Sequence, residues 1–442
     1  MQDVDLPLYL HAEFLPNIRQ VTLYVSLPGT TKFDEVRPDV NLSESRKAVT
    51  VSLPKPFQNV TETIKLPARV SDTSRRVLKA KPGPVPKADT HGTGDSTYDF
   101  SFRMQVDPEE EALAPQDESM DEFVPWTAQE MSLSTRIRCR ECGNAFLDTS
   151  IKEPHDQKTG ESHTPGWVWK DLPSGNWAEM MDFWHCHKPD PHEGHEKEEK
   201  DSALQKEDET AQTKGYGAES HVVAISGTVL VDVATFLLAE HDCTGLKKGN
   251  EEEQTSNTKV SVERTLDCAN CNSIIGMEDP IANGWRLLKA NVSLNTKSPN
   301  SGSDTTEWES HPTEMIVAAQ LLELIERESA RRFVVHHGQK SGLVLWVFNP
   351  DMRYSNSSAG CNVMAQQAMK VFYQESADVD KLLHPDIGTP SPLSVEELEL
   401  PSMVYEAMLN ALTGSNQMLP VSARKFNEWH VGLLSRFERG KA

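Results

Sequence analysis

The sequence is poor in basic residues. Lysine and arginine together number 44 against 67 aspartates and glutamates, so the 442-residue chain carries a formal net charge of −23. A chain this acidic repels the phosphate backbone of nucleic acids and the surface of anionic membranes. The composition therefore argues against both as direct partners and favours basic proteins instead.

The sequence also lacks a long uninterrupted apolar run. Its most apolar stretch, residues 222–239, is broken by Gly227 and Asp232, so it predicts one or two buried strands rather than a membrane span. The start of the chain, Met1 to Asp5, is acidic and polar, unlike a secretory signal. Together with an odd number of cysteines, seven, this favours a reducing compartment. We expect a cytoplasmic and nuclear protein without disulfides.

Two short cysteine pairs are the strongest motif in the chain. Residues 139–143 read Cys-Arg-Glu-Cys-Gly, and residues 268–272 read Cys-Ala-Asn-Cys-Asn. A two-residue spacing lets both thiolates of a tight turn bind one tetrahedral zinc ion, and Gly143 and Asn272 are of the types that most readily adopt the positive φ of such a turn. The alternative is two independent pairs, or one redox pair. The predicted ligands of one structural Zn²⁺ are Cys139, Cys142, Cys268 and Cys271.

More than a hundred residues separate the two pairs, too many for one compact zinc finger. The spacing predicts two metal-binding turns clipped together across a β-domain, and closing so long a loop would restrict the unfolded chain. Four thiolates leave zinc no open coordination position, and the sequence contains no His-Glu-x-x-His motif. These features favour a structural metal over a metalloenzyme.

The first hundred or so residues alternate between apolar and polar positions, as half-buried strands do. The clearest case is residues 98–106, where every second residue is apolar. We predict an N-terminal β-sheet region over residues 1–106, with a linker rich in proline and glycine at 81–95. An acidic linker is predicted to follow at 107–135.

The predicted zinc domain, residues 136–294, contains two polar insertions. Residues 191–214 and 247–257 have too little apolar surface to bury a core, so we expect solvated, disordered loops. Before the first insertion, Trp177 to Trp184 carry an aromatic stripe at helical spacing, which predicts a short amphipathic helix. Cys186 follows this helix directly, between two histidines.

The last third of the chain, residues 307–442, mixes helical and strand patterns. Apolar spacing predicts a helix over 315–331, and the capping box Ser394-Val-Glu-Glu397 predicts another that runs through Leu412 and ends at Gly414. The predicted strands are 343–348 and 369–373, and 429–437 is predicted as a strand or short helix. We therefore predict the α+β class. The N-terminal region and the region held together by zinc should be rich in β-strands, and an α+β C-terminal unit should follow them.

Six short motifs resemble, in order, those of the ubiquitin-conjugating-enzyme-binding proteins, also called HECT-like ubiquitin-protein ligases. The resemblance covers roughly residues 130 to 440, and the insertion at 191–214 is typical of a fungal member. The motifs are Arg138-Cys-Arg-Glu-Cys-Gly143, Leu172-Pro-Ser-Gly-Asn-Trp177, Trp184-His-Cys-His-Lys-Pro189, Cys268-Ala-Asn-Cys271 with Ile275-Gly276, Leu345-Trp-Val-Phe-Asn-Pro-Asp351 and Ala368-Met-Lys-Val-Phe-Tyr-Gln374.

This resemblance implies a ubiquitin-protein ligase that binds a ubiquitin-conjugating enzyme and ubiquitin and modifies itself or a protein substrate. Members of the family have also been linked to the machinery that cleaves and polyadenylates messenger RNA precursors. The alternative hypothesis is a non-catalytic zinc adaptor or assembly factor for an unknown client protein, which could belong to that 3′-end-processing machinery.

A ligase of the HECT type needs an acceptor cysteine, and two candidates lie outside the predicted zinc ligands. Cys361, in Ser-Ser-Ala-Gly-Cys-Asn, departs from the threonine-containing motif expected near the C-terminus. Cys186 has an imidazole on each side, and a neighbouring cationic histidine would stabilise its thiolate. Cys186 and His187 are also candidates for alternative zinc ligands. The sequence leaves these roles open and assigns none to Cys243.

Overall fold

The computed structural model describes residues 8–27, 37–54, 60–80, 83–84, 98–111, 123–148, 166–172, 222–249, 264–296, 307–358, 363–384 and 395–439. The chain divides into two compact units, residues 1–123 with 328–442 and residues 124–327. Strands outnumber helices in the described residues, which agrees with the predicted α+β class. None of the helices in these ranges combines the length and apolar character needed to cross a membrane.

The described strands are short and are numbered in chain order. They are β1 (Tyr9–Leu15), β2 (Gln20–Leu27), β3 (Asp39–Leu42), β4 (Ala48–Ser52), β5 (Thr61–Lys65), β6 (Gly83–Pro84), β7 (Tyr98–Gln105), β8 (Arg136–Cys139), β9 (Ala145–Leu147), β10 (Val168–Asp171), β11 (Thr228–Val231), β12 (Thr235–Leu238), β13 (Leu246–Lys248), β14 (Thr265–Cys268), β15 (Ile274–Asp279), β16 (Gly284–Leu288), β17 (Val292–Asn295), β18 (Arg332–His336), β19 (Gly342–Asn356), β20 (Gln366–Ser376), β21 (Glu396–Glu399), β22 (Lys425–Phe426) and β23 (Trp429–Ser435).

The helices of the described ranges are fewer. They are α1 (Ser74–Lys79), α2 (Pro108–Glu111), α3 (Thr313–Glu328), α4 (Asp380–Leu383) and α5 (Ser402–Met418).

The first unit contains, within the described residues, a ten-stranded sheet in the order β22-β23-β20-β19-β1-β2-β7-β6, with β18 paired to β19 and to β21. Strand β1 lies between β2 and β19, so a strand near the N-terminus is central in a sheet that C-terminal strands complete. The prediction of separate regions at 1–106 and 307–442 is therefore wrong. Apolar alternation shows that a segment is a strand but does not identify its partner.

The core of the first unit follows the predicted alternation. Phe102 and Met104 of β7 are buried, whereas Arg103 and Gln105 are exposed. One face of β1 and β2, through Leu10 and other residues, joins the apolar side chains of the three-stranded sheet β3-β4-β5 in one hydrophobic cluster. The alternation therefore separates the core face of these strands from the polar face.

Both predicted linkers contain ordered structure. Gly83–Pro84, inside the predicted linker 81–95, pairs with β7, and the other residues of that linker lie outside the described ranges. In the predicted linker 107–135, Asp107 is buried, and its carboxylate lies 2.8 Å from Arg46 Nη2. Trp126 is buried as well. The acidic composition of this segment suggested a linker, although Asp107 is buried in the first unit and Trp126 in the second.

The C-terminal helix begins later than predicted. Residues 315–331 were predicted as a helix and α3 is observed, but the segment that includes Glu396 and Glu397 is strand β21, parallel to β18. Helix α5 begins at Ser402, after Pro401, and passes through Gly414 to Met418. The strand forms because its backbone pairs with β18, and this pairing outweighs the local signal for a helix start. The helix continues through Gly414 because one exposed glycine lowers the stability of a 17-residue helix only slightly.

The second unit contains, among the described residues, a seven-stranded sheet in the order β10-β11-β12-β16-β15-β14-β13 and a three-stranded sheet in the order β17-β8-β9. The apolar run 222–239 forms two buried strands, β11 and β12, as predicted. The predicted loop 247–257 is wrong at its start, because Lys247 and Lys248 lie in β13, which pairs with β14. The insertion 191–214, residues 250–257 and the predicted helix 177–184 lie outside the described residues.

Candidate metal centre

Two similar β-hairpins carry the cysteine pairs. In the first, between β8 and β9, Cys139 N–H donates to Asn144 O (2.8 Å) and Gly143 N–H donates to Cys139 O (3.0 Å). In the second, between β14 and β15, Cys268 N–H donates to Ser273 O (2.8 Å), and the N–H of the residue after Cys271 donates to Cys268 O (2.9 Å). Each hairpin therefore folds its backbone back beneath two thiols in the same way.

The predicted left-handed turn residues are confirmed. Gly143 has φ +75° and Asn272 has φ +62°. Glycine adopts this conformation without a steric penalty, and asparagine tolerates it better than most residues. The turn chemistry inferred from sequence therefore has a direct structural counterpart.

The two hairpins bring all four predicted ligands together. The four Sγ atoms lie within 4.8 Å of one another, and none of these cysteines is in a disulfide. The Sγ atoms of Cys139 and Cys271 are 3.6 Å apart, as are those of Cys142 and Cys268. Four sulfurs at about 2.3 Å from a tetrahedral ion would be about 3.8 Å apart. The arrangement fits one metal ion.

The protonation properties of the thiols differ with their surroundings. Hydrogen bonds from the side chain and backbone of Ser273 lower the pKa of Cys271 to about 6, and a hydrogen bond from the Asn270 side chain lowers the pKa of Cys142. Burial raises the pKa of Cys139 to about 12. A cation would compensate the desolvated thiolate, and a soft all-sulfur set suits Zn²⁺.

A contact missed in the sequence joins the two hairpins. Asn144 Nδ2 donates to Gly245 O at 2.9 Å and lies 3.5 Å from Cys268 Sγ. The N–H of Ala269 donates to the same carbonyl oxygen at 2.9 Å. A Cβ atom at Gly245 would lie 2.5 Å from Asn144 Nδ2, so this close approach requires glycine. An asparagine directly after the first turn was the only sequence signal for this contact.

The remaining candidate residues are not brought to this site by the described structure. Cys186, His187 and Cys361 lie outside the described residues. Cys243 packs against the core beside the metal centre, and burial raises the pKa of its thiol to about 12. Among the described residues, the cluster that could hold a metal ion therefore consists of the four predicted cysteines.

Replacing Gly143 with alanine tests the turn geometry. The nearest atom to a new Cβ would be Arg138 Nη1 at 3.8 Å, so no clash accompanies the change. We expect Gly143→Ala to destabilise the second unit by about 1–2 kcal/mol, because alanine is strained at positive φ. Gly414→Ala, at an exposed position of helix α5, should instead stabilise the first unit by about 0.5–1 kcal/mol. Urea unfolding of both variants measures whether the free energy of unfolding changes in opposite directions. Equal changes in the two variants would contradict the argument from positive φ.

Comparisons with known proteins agree with the motifs. The family described as HECT-like Ubiquitin-conjugating enzyme (E2)-binding matches residues 13–431. An uncharacterized protein of Schizosaccharomyces pombe is 27% identical over 326 residues, covering 72% of this chain and 78% of its own. One from Saccharomyces cerevisiae is 25% identical over 272 residues, covering 61% and 63%. An E3 ubiquitin-protein ligase of Mus musculus is 26% identical over 283 residues, covering 60% and 64%. No solved structure matches.

Proposed function

The chain belongs to the HECT-like ubiquitin-conjugating enzyme (E2)-binding family, and on that basis we propose that it binds a ubiquitin-conjugating enzyme and promotes transfer of ubiquitin to itself or to a protein substrate. The observation that carries this proposal is the extent of the family match, which spans residues 13–431 and so includes most of both units. The mouse relative named as an E3 ubiquitin-protein ligase supports the transfer step.

The four-cysteine centre has a structural role in this proposal. Cys139, Cys142, Cys268 and Cys271 would hold Zn²⁺, and four thiolates would leave the ion no open position for a substrate. The ion would supply the positive charge that keeps the buried thiolates deprotonated. The chain's own contribution is to fix two hairpins, drawn from distant parts of the sequence, as one rigid surface.

A second candidate is a non-catalytic zinc adaptor or assembly factor for a client protein, including one of messenger RNA 3′-end processing. The specific observation in its favour is the state of the described cysteines. Four of them lie together in a cluster that could hold a metal ion, and burial raises the pKa of Cys243, which disfavours a nucleophilic thiolate. On this reading, the chain would bind the conjugating enzyme without accepting ubiquitin.

Binding and transfer can be tested separately. The zinc-loaded full chain is titrated with a panel of ubiquitin-conjugating enzymes by calorimetry, and transfer reactions are analysed on non-reducing gels with and without hydroxylamine. A ligase gives binding together with self-ubiquitination. An adaptor gives binding alone, and failure to bind any conjugating enzyme would contradict both the ligase and the adaptor.

Replacement of the two candidate acceptor cysteines should distinguish a chemical from a supporting role. We expect Cys361→Ala to leave self-ubiquitination unchanged and Cys186→Ala to lower it, because Cys186 lies between two histidines in the zinc region of the sequence. Our proposal is that Cys186 and His187 act by shaping the surface that meets the conjugating enzyme. Zinc content, melting temperature and affinity for the conjugating enzyme should therefore change together with activity.

The contrary result is specific. A Cys186→Ala protein that keeps its zinc, its melting temperature and its affinity for the conjugating enzyme, yet loses a hydroxylamine-sensitive ubiquitin adduct, would make Cys186 the acceptor. Loss of that adduct in Cys361→Ala would assign the role to Cys361.

A further inference from the structure

Two arginine side chains on the outer face of strand β8 lie over the ring of the same tryptophan. Arg136 and Arg138 alternate with the buried Ile137 and Cys139, so both arginines lie on the face away from the core. The guanidinium carbon of Arg138 lies 4.0 Å from the centre of the Trp308 ring, and that of Arg136 lies 5.7 Å from it. Both distances are within the range of cation–π contacts.

These two positive charges are not neutralised within the described structure. Neither Arg136 nor Arg138 forms an ion pair with a described carboxylate, although the chain carries a net charge of −23. Some other basic residues of this unit are paired: Lys248 Nζ lies 2.6 Å from Glu278 and 3.3 Å from Glu240. Like charges side by side on one ring are unfavourable unless an anion joins them.

Arg138 is also incompletely hydrogen-bonded. Its Nε atom is buried and has no hydrogen-bond partner in the described structure. A buried donor without an acceptor is uncommon. Because this atom is inaccessible, a ligand would meet the terminal Nη groups instead. The guanidinium stacks on Trp308 beside the glycine turn of the first hairpin, so its orientation is set before any ligand arrives. This pre-organisation reduces the entropy that a ligand must overcome.

We propose that Arg136, Arg138 and Trp308 form a binding site for an acidic peptide segment of a partner protein. A planar guanidinium binds a carboxylate through two parallel hydrogen bonds, and the aromatic ring offers apolar surface to the methylene groups of a glutamate. A short peptide needs only this local positive charge, whereas a long nucleic acid backbone would meet the acidic remainder of the chain. This proposal does not depend on whether the chain binds a conjugating enzyme.

The test uses the zinc-loaded full chain and a fluorescein-labelled hexaglutamate peptide with an amidated C-terminus, measured by fluorescence anisotropy at low salt. We expect binding that weakens as salt is added and that the matching hexaglutamine peptide does not show. Arg138→Gln should weaken binding about ten-fold or more, since it removes a charge-assisted contact. Arg136→Gln should weaken it less, because its guanidinium lies farther from the ring.

Lys248→Gln is the matched control, because it removes one positive charge from the same unit at a residue that is already paired. It should leave peptide affinity within about two-fold. Zinc content and melting temperature are measured for each variant, and the hexaglutamine comparison on the unaltered chain stands even if Arg138→Gln does not fold. Equal binding of the two peptides, equal loss in Lys248→Gln, or displacement of the peptide by an equal concentration of inorganic phosphate would each overturn the proposal.

Discussion

Serine in place of Cys268 is expected to release the metal and unfold the second unit. Cys268 is buried, its Sγ lies 3.6 Å from that of Cys142, and its hairpin is held to the other hairpin through the four-sulfur cluster. Structural zinc contributes about 10 kcal/mol or more of apparent free energy in small zinc domains. That contribution is comparable with the whole stability of a domain, about 5–15 kcal/mol. The loss should therefore exceed what the remaining core can offset.

Elemental analysis and limited proteolysis measure this outcome. The unaltered chain should contain one zinc ion and resist cleavage within residues 124–148 and 264–296, whereas Cys268→Ser should lose zinc and be cut there. Cys243→Ala is the matched control, because Cys243 is a half-buried thiol of the same unit outside the cluster. It should keep its zinc. A folded Cys268→Ser protein with a full complement of zinc would contradict the predicted centre.

The clustering of the four cysteines was predictable because its signals are local. The spacing of Cys139 and Cys142, and the positive φ of the residues after each pair, follow from a few neighbouring residues and the geometry of zinc. The contact of Asn144 with the Gly245 carbonyl was not predictable, because it joins residues about a hundred positions apart. The four cysteines of the cluster could thus be named from the sequence, but not the hydrogen bonds that hold the two hairpins together.

In the fold as well, contacts between distant parts of the sequence were not predictable. The alternation in β1 identified a strand, yet its neighbours β2 and β19 come from opposite ends of the chain, and no pattern within seven residues could specify β19. The segment from Glu396 to Glu399 has a local helix-start signal, but Leu398 is buried and the backbone pairs with β18. Local signals failed where a distant strand supplied the hydrogen bonds.

Strand β1 contains two buried polar residues, His11 and Glu13. The Glu13 carboxylate is buried, lies 2.7 Å from Lys370 Nζ of β20 and lies 3.3 Å from His11 Nε2. This ion pair joins the N-terminal strand to a C-terminal one. We expect Lys370→Met to destabilise the first unit by about 3–5 kcal/mol in urea unfolding, because it leaves a buried carboxylate without its countercharge.

Two further variants separate this effect from a general loss of charge. Lys340→Met removes an exposed lysine whose Nζ lies 3.6 Å from Asp378, and it should change stability by less than about 1 kcal/mol. The double variant Glu13→Gln with Lys370→Met removes both charges and should be more stable than Lys370→Met alone. If the double variant is the least stable of the three, the unpaired charge is not the cause.

The same pair predicts a dependence on pH with a definite sign. Burial would raise the pKa of Glu13, but Lys370 and His11 outweigh it and lower the pKa to about 2, against an ordinary value of 4.5. The unfolded chain therefore takes up a proton near pH 4.5, while the folded chain takes it up only near pH 2. The stabilisation is complete above about pH 4.5 and is lost as the pH falls toward 2. Glu13→Gln cannot titrate here, so the stability gap between the unaltered chain and this variant should narrow between pH 6 and pH 3 in urea unfolding. A gap that stays constant over that range would show that the carboxylate charge contributes nothing to the fold.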